Sequence, residues 1–145
     1  MALFSVTRTS SALSTTNDTV TITAHATKPL RVLYVEVSGM GTASAANEIL
    51  IMRSTGGTTA GGAITPAPLA GSGSAGFTVA TTWAAQPSPS TVLHRLSVNA
   101  NGGKDRFNPA PGLEIEVPAG GQISIRSASG TSNVTINEVT VDEIG

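Results

Sequence analysis

The sequence predicts an all-β protein: an antiparallel β-sandwich, jelly-roll-like, with eight to ten short strands in a single domain of residues 1–145. Apolar and polar residues alternate over short runs along the chain, a pattern typical of strands that bury one face. Clusters of Gly, Pro, Ser and Asn separate these runs, as in antiparallel strands joined by tight connections. Only 3% of the residues are aromatic and 12% are charged, so we expect a thin core of β-branched and small side chains.

Four runs alternate so regularly that each predicts a strand with one buried and one solvated face. In the first, Val20 and Ile22 alternate with threonines. In the second, Val92 and Leu96 share a face with His94, which we interpret as a core residue or a group at a subunit boundary. The four runs are DTVTITAH (18–25), TVLHRLSVN (91–99), GLEIEVP (112–118) and GQISIRS (121–127).

Two further runs are apolar on both faces. PLRVLYVEV (29–37) is expected to be a central strand covered on each side. NEILIMRS (47–54) is interpreted as a strand, although a short helix would fit it almost as well. In the last run, NVTINEVTVDE (133–143), the apolar residues change phase, which a β-bulge near Asn137 and Glu138 would absorb. The expected core residues are Val32, Leu33, Val35, Ile51, Phe77, Val79, Leu96 and Ile123.

The stretch AGSGSAG has a G-x-G-x-x-G spacing at Gly71, Gly73 and Gly76, which in other proteins marks a dinucleotide site. That interpretation requires a helix after the glycines, but the alternating run 77–83 predicts a strand there. We therefore expect no nucleotide and no other cofactor. The glycines belong to a long Gly/Pro-rich loop near 54–76, where we expect them to give the backbone freedom to contact a partner. We also expect alanine at all three positions to leave stability unchanged.

The composition argues against several classes of function. The formal net charge of −1 disfavours nucleic-acid binding. No run of about eighteen apolar residues could span a membrane, and no secretion signal opens the chain, so we expect synthesis in the cytosol and no membrane partner. There is no cysteine, and His25 and His94 are far apart in the sequence, so no metal site is expected.

No catalytic motif is present, so we do not expect an enzyme. The sequence has no G-x-S-x-G, S-x-x-K or P-loop pattern. Glu114 and Glu116 would lie about 7 Å apart on one face of a strand, within the range that inverting glycosidases use. Such a pair is also the ordinary way to solvate an outer face. We prefer this second interpretation because the chain has one Trp and one Tyr with which to build a sugar cleft.

The densest group of charges is Lys104, Asp105 and Arg106, next to the turn-forming NANGG. At a hairpin tip such a group is usually solvated, and it can also serve as a contact patch for a neighbouring protein. We take these three residues, together with the three glycines of AGSGSAG, as candidate partner contacts.

Four segments resemble small all-β structural proteins of tailed bacteriophages, similar to the jelly-roll cement or decoration proteins of the head. They are FSVTRTSSALSTTNDTVTI, GMGTASAANEILIMRSTGGTTAGGAITPAPL, VNANGGKDRF and LEIEVPAGGQISIRSASGTSN. The resemblance implies a homotrimer that is made in the host cytoplasm and attaches to the outer capsid surface of the virion. Its partner would be the lattice of the major capsid protein, contacted through loops and the N-terminal segment. No functional residue transfers individually, because this type of protein has no motif to match.

Two classes of function therefore remain for the structure to address. The first is a structural virion protein that decorates and stabilises a phage head. The alternative is a carbohydrate- or receptor-binding β-sandwich module of a phage tail or fibre, which the scarcity of aromatic platforms disfavours.

Overall fold

The structure is a computed structural model that describes residues 2–71 and 73–145, and this part of the chain contains strands and loops but no helix. It confirms the all-β prediction. The described residues form thirteen strands, more than the eight to ten expected, because several pair over only a few residues. The strands are β1 (Ala2–Thr9), β2 (Val20–Thr23), β3 (Leu30–Met40), β4 (Ala46–Thr55), β5 (Thr58–Gly61), β6 (Ala67–Pro68), β7 (Thr78–Ala80), β8 (Thr82–Ala85), β9 (Ser88–Asn99), β10 (Asn101–Phe107), β11 (Ile115–Val117), β12 (Gln122–Ser127) and β13 (Thr135–Glu143).

Two antiparallel sheets pack face to face and form a β-sandwich. Sheet A has the order β10-β3-β13-β1-β6, with β11 pairing the first residues of β3 beside β10. Sheet B has the order β7-β2-β12-β4-β9, and β5 and β8 form a separate two-stranded ribbon. The long Gly/Pro-rich segment near 54–76 thus contains two short strands, β5 and β6. The jelly-roll connection itself stays a prediction.

The core lies between the inner faces of the two sheets. Every predicted core residue except Leu33 is buried. The polar faces of β2 and β12, which the alternation predicted to be solvated, are buried as well, so that expectation is wrong for these two strands. Strand β1 was not expected, although Phe4 and Val6 alternate with polar residues and both are buried. The rings of Phe4 and Phe77 meet edge to face, with centroids 5.5 Å apart, so β1 contacts the residue that precedes β7 within the core.

A β-bulge at Leu33 explains why residues 29–37 look apolar on both faces. Val32 pairs with Val141 and Tyr34 pairs with Thr140, so Leu33 is the extra residue of β3. Because a bulge shifts the alternation by one residue, Val32 and Val35 both point into the core. Leu33 and Tyr34 remain half-exposed. The expectations that β3 is covered on both sides and that Leu33 is a core residue are therefore wrong.

The bulge expected near Asn137 and Glu138 is absent, since β13 pairs with β1 without interruption from Ile136 to Glu143. Asn137 is instead a buried polar residue on the inner face. Its side-chain amide donates to the carbonyl of Thr135 at 3.3 Å and to the hydroxyl of the same residue at 3.2 Å. These bonds let an amide replace an apolar side chain, so the phase of the strand does not change.

Residues 47–54 lie within β4, which excludes the helical alternative. The partner strand β9 contains a bulge at Leu93, because Met52 pairs with Val92 and Ile51 pairs with His94. Val92 is consequently 39% exposed rather than on the face of Leu96, which corrects the predicted pattern.

His94 stays half-buried at the margin of the core, with its ring 5.0 Å from that of Phe107. The single strand predicted for residues 77–83 is likewise divided, into β7 of sheet B and β8 of the ribbon. Thr81 separates the two strands, and its hydroxyl donates to the carbonyl of Gly62 at 2.8 Å.

Candidate interaction face and polar cleft

The predicted group Lys104, Asp105 and Arg106 lies within strand β10 rather than at a hairpin tip. Lys104 pairs with Ser38 and Arg106 pairs with Glu36, so both cations project from the outer face of sheet A. Asp105 points the other way, and its Oδ2 accepts a hydrogen bond from the Ser97 amide of sheet B at 2.9 Å. The structure therefore divides the group into two surface cations and one carboxylate that links the edges of the two sheets.

A row of charged residues crosses the outer face of sheet A beside these cations. Glu36 of β3 pairs on one side with Arg106 and on the other with Glu138 of β13. Like charges directly opposite each other on antiparallel strands are unfavourable, whereas opposite charges stabilise the pair. Arg106 lies opposite Glu36 in the register, but this pair is not among the ion pairs of the described residues.

Tyr34 completes this surface. Its hydroxyl donates to Glu36 Oε2 at 2.5 Å, and this hydrogen bond, followed by a small desolvation effect, raises the pKa of Tyr34, while Arg106 opposes the rise. A small depression of about 250 Å³ lies between Glu36 and the residues of β10. We call Tyr34, Glu36, Lys104, Arg106 and Glu138 the charged face.

The three glycines of AGSGSAG do not form one site. The φ of Gly71 is +73°, in the left-handed region, whereas the φ of Gly73 lies outside that region. A Cβ at either position would meet nothing within 4 Å. Gly76 is different, because its amide donates to Glu143 Oε1 at 3.0 Å and a Cβ there would lie 2.8 Å from Oε2. The expectation that alanine is harmless at all three positions is therefore wrong for Gly71, where φ is positive, and at Gly76 alanine requires the end of the Glu143 side chain to move.

A polar cleft of about 240 Å³, which the sequence did not reveal, opens between residues 8–19 and residues 81–86. Its walls include the guanidinium of Arg8, the indole of Trp83 and the side-chain amide of Gln86. Serine and threonine residues supply most of the remaining lining. The cleft therefore offers hydrogen-bond donors and one aromatic surface in a small volume.

A buried ionic network supports the floor of the polar cleft. Asp18 Oδ1 accepts from Arg126 Nε at 2.7 Å, and its Oδ2 accepts from the hydroxyls of Thr21 at 2.6 Å and Ser124 at 2.5 Å. Thr21 also accepts the indole N–H of Trp83 at 3.0 Å. Because the network is anchored in β2 and β12, it holds the tryptophan in a defined position.

Arg8 occupies an inner-face position of β1, in phase with Phe4 and Val6. Its guanidinium donates to the carbonyl oxygens of Thr19 and Thr81, the second at 3.3 Å, and burial lowers its pKa. A cation in phase with core residues is the one signal in the sequence that could have indicated this cleft.

Among the described residues, no group of three or more His, Asp or Glu side chains could hold a metal ion. That part of the chain also forms no helix that is long and apolar enough to cross a membrane. No protein-family model matches the sequence, and no curated protein or solved structure is detectably similar to it.

Proposed function

We propose that this protein is a structural virion protein, a homotrimeric decoration or cement protein that binds the major capsid protein lattice on the outer face of a phage head. The observation that carries this proposal is the charged face. It combines both signs of charge on the strands of a sheet, where backbone pairing keeps the side chains in a fixed pattern. Fixed charges of both signs select a complementary surface and determine its register.

Exposed apolar side chains on anchored loops support the same proposal. Leu69 is 54% exposed, although its amide donates to the carbonyl of Leu3 at 2.9 Å. Leu113 is 71% exposed, and its amide donates to the carbonyl of Ala110 at 3.0 Å. An apolar side chain that is presented on a held backbone loses little conformational entropy when a partner covers it. These leucines therefore suit contacts with neighbouring subunits.

Sedimentation of the purified protein with empty phage heads tests attachment. The native chain should cosediment with heads in hundreds of copies, and Arg106→Glu should reduce its affinity about tenfold or more, because it replaces a complementary charge by a repulsive one. Arg95→Glu, an exposed change on sheet B, is the matched control and should bind as the native chain does. Equal binding of both variants would contradict a role for the charged face.

The oligomeric state provides a separate measurement. Analytical ultracentrifugation at micromolar concentration should detect a trimer, because a chain with few charges benefits from covering its small apolar surfaces. A stable monomer would count against the homotrimer.

A carbohydrate- or receptor-binding module of a tail or fibre is the second candidate, and the polar cleft with its single tryptophan favours it. Copy number distinguishes the two functions. A handful of copies per virion would indicate a tail or fibre component, whereas hundreds would indicate decoration of the head.

A further inference from the structure

The polar cleft contains a cation without an acidic partner. The ion pairs of the described residues join Arg95 to Glu48 and Arg126 to Asp18, and Arg8 takes part in neither. Its contacts are carbonyl oxygens and the hydroxyl of Ser11, 3.5 Å from Nη2. A partly desolvated charge is costly unless an opposite charge compensates it, so the cleft favours an anionic group beside this guanidinium.

Asp18 does not supply that opposite charge. One of its oxygens is paired with Arg126, and the other accepts two hydroxyl groups. Its negative charge is therefore balanced by Arg126, which leaves the cleft with the positive charge of Arg8. A planar guanidinium binds a carboxylate through two parallel hydrogen bonds, a geometry that neither a hydroxyl nor a carbonyl can match.

The remaining walls have the chemistry of a sugar site. Gln86 Oε1 accepts the Asp18 amide at 3.0 Å, and no described residue accepts from its side-chain N–H groups. The indole N–H of Trp83 is bonded to Thr21, so the half-buried tryptophan contributes its apolar ring to the lining of the cleft. Amide donors fit sugar hydroxyls, and an aromatic face fits the C–H surface of a pyranose.

The volume limits the size of the ligand. At about 240 Å³ the cleft is below the range of roughly 300–1,000 Å³ that holds drug-sized molecules. One sugar ring suits this space, whereas an extended peptide would use little of it. The observations thus favour a sugar over an acidic side chain of a protein.

We propose that the polar cleft binds a single acidic sugar residue, a uronic acid, with Arg8 holding the carboxylate, Gln86 donating to a hydroxyl and Trp83 covering one face of the ring. This site is independent of attachment to a phage head, because it lies apart from the charged face. It would let the protein hold an acidic surface polysaccharide while the charged face remains available.

Trp83 is the one tryptophan of the chain, so its fluorescence reports directly on the cleft. Methyl glucuronide and methyl galacturonide are titrated into the native protein, with the neutral methyl glucoside and acetate as comparisons. At least one uronide should give a saturable change, with an affinity about tenfold or more above those of the glucoside and acetate. Added salt should weaken the binding of the uronide, because salt screens the attraction between its carboxylate and Arg8.

Variants identify the residue responsible. Arg8→Gln should abolish the response to the uronide, whereas Arg95→Gln, which removes the same charge on sheet B, should leave it unchanged. Thermal unfolding verifies that each variant is folded. If Arg8→Gln does not fold, Gln86→Ala is used, and it should weaken binding several-fold.

Three results would overturn the proposal: no response to either uronide, equal affinity for uronide and glucoside, or equal loss of binding in Arg8→Gln and Arg95→Gln. A response to N-acetylglutamate equal to that of the uronides would instead indicate an acidic protein side chain as the ligand. Capsid binding by Arg8→Gln is measured in parallel and should be unchanged, so failure of the sugar site and failure of head attachment remain distinguishable.

Discussion

Asp18 and Arg126, 108 residues apart in the sequence, form an ion pair of 2.6 Å in which their side chains are 0% and 8% exposed. The pair joins the Ser/Thr-rich segment that precedes β2 to the middle of sheet B. Arg126 also donates to the carbonyl of Pro87 at 3.1 Å. One buried arginine therefore connects three distant parts of the chain beneath the polar cleft.

Removing one member of this pair should be strongly destabilising. Arg126→Met leaves the carboxylate of Asp18 buried without its counter-charge, and we expect it to lower the free energy of unfolding by about 3–5 kcal/mol. Urea denaturation measures the change. The double variant Asp18→Leu/Arg126→Met should recover much of the loss, since no unpaired charge remains.

The exposed pair of Arg95 and Glu48, with side chains 61% and 44% exposed, is the control for that experiment. Solvent screens this pair, so Arg95→Met should change the free energy of unfolding by at most about 1 kcal/mol. Similar losses in Arg95→Met and Arg126→Met would contradict the importance of burial.

The bulge in β3 predicts opposite outcomes for two neighbouring apolar residues. Val35 is 1% exposed, so Val35→Asp buries a charge and should abolish folding. Leu33 is half-exposed on the outer side of the bulge, and Leu33→Asp should remain soluble and unfold cooperatively. Circular dichroism during thermal unfolding distinguishes the two. A folded Val35→Asp protein would show that the register of β3 is misassigned.

The three glycines of AGSGSAG should respond differently to alanine. Gly73→Ala should be neutral or should stabilise the protein by up to about 1 kcal/mol, because it reduces the freedom of the unfolded chain only. Gly71→Ala should cost about 1–2 kcal/mol, because φ is positive there. Gly76→Ala should cost about 1–3 kcal/mol, because the new methyl group displaces the buried carboxylate of Glu143 from its hydrogen bond. Denaturant unfolding of the three single variants tests this order.

Tyr34 should titrate above its ordinary value of 10.0. Its hydrogen bond to the carboxylate of Glu36 favours the protonated phenol, so Glu36→Gln should lower the pKa. Between pH 10.0 and the raised pKa, the folded chain keeps a proton that the unfolded chain has lost. The contribution of Tyr34 to stability is therefore present below this window and is lost as the pH rises through it.

Ultraviolet absorbance of the phenolate measures this titration without interference from a second tyrosine, because the chain has only one. Thr7→Val is the control and should leave the titration unchanged. Thr7 lies on the same sheet face, but its strand β1 is separated from the strand of Tyr34 by β13. A pKa at or below the ordinary value in the native chain would disprove the contact with Glu36.

The sequence by itself determined the fold class, most strands and most of the core. Alternation with a period of two is local, so DTVTITAH and GQISIRS indicated their apolar inner faces without knowledge of their partners. It did not indicate that the opposite, polar faces of these two strands are buried too. The same reasoning identified Leu96 as buried, and the concentration of apolar residues in 29–37 and 47–54 identified Val35 and Ile51. It could also have identified β1, in which Phe4 and Val6 alternate with polar residues.

Only the tertiary structure decided where the alternation breaks and which polar residues meet. The bulges at Leu33 and Leu93 depend on how each strand pairs with its neighbour, and the sequence of one strand does not contain that register. The hydrogen bond of Asp105 to the Ser97 amide likewise depends on the position of β10 beside β9 at the edges of the two sheets. The pairing of Asp18 with Arg126 requires contact between segments that are distant in the chain, and such contacts carry no local periodicity.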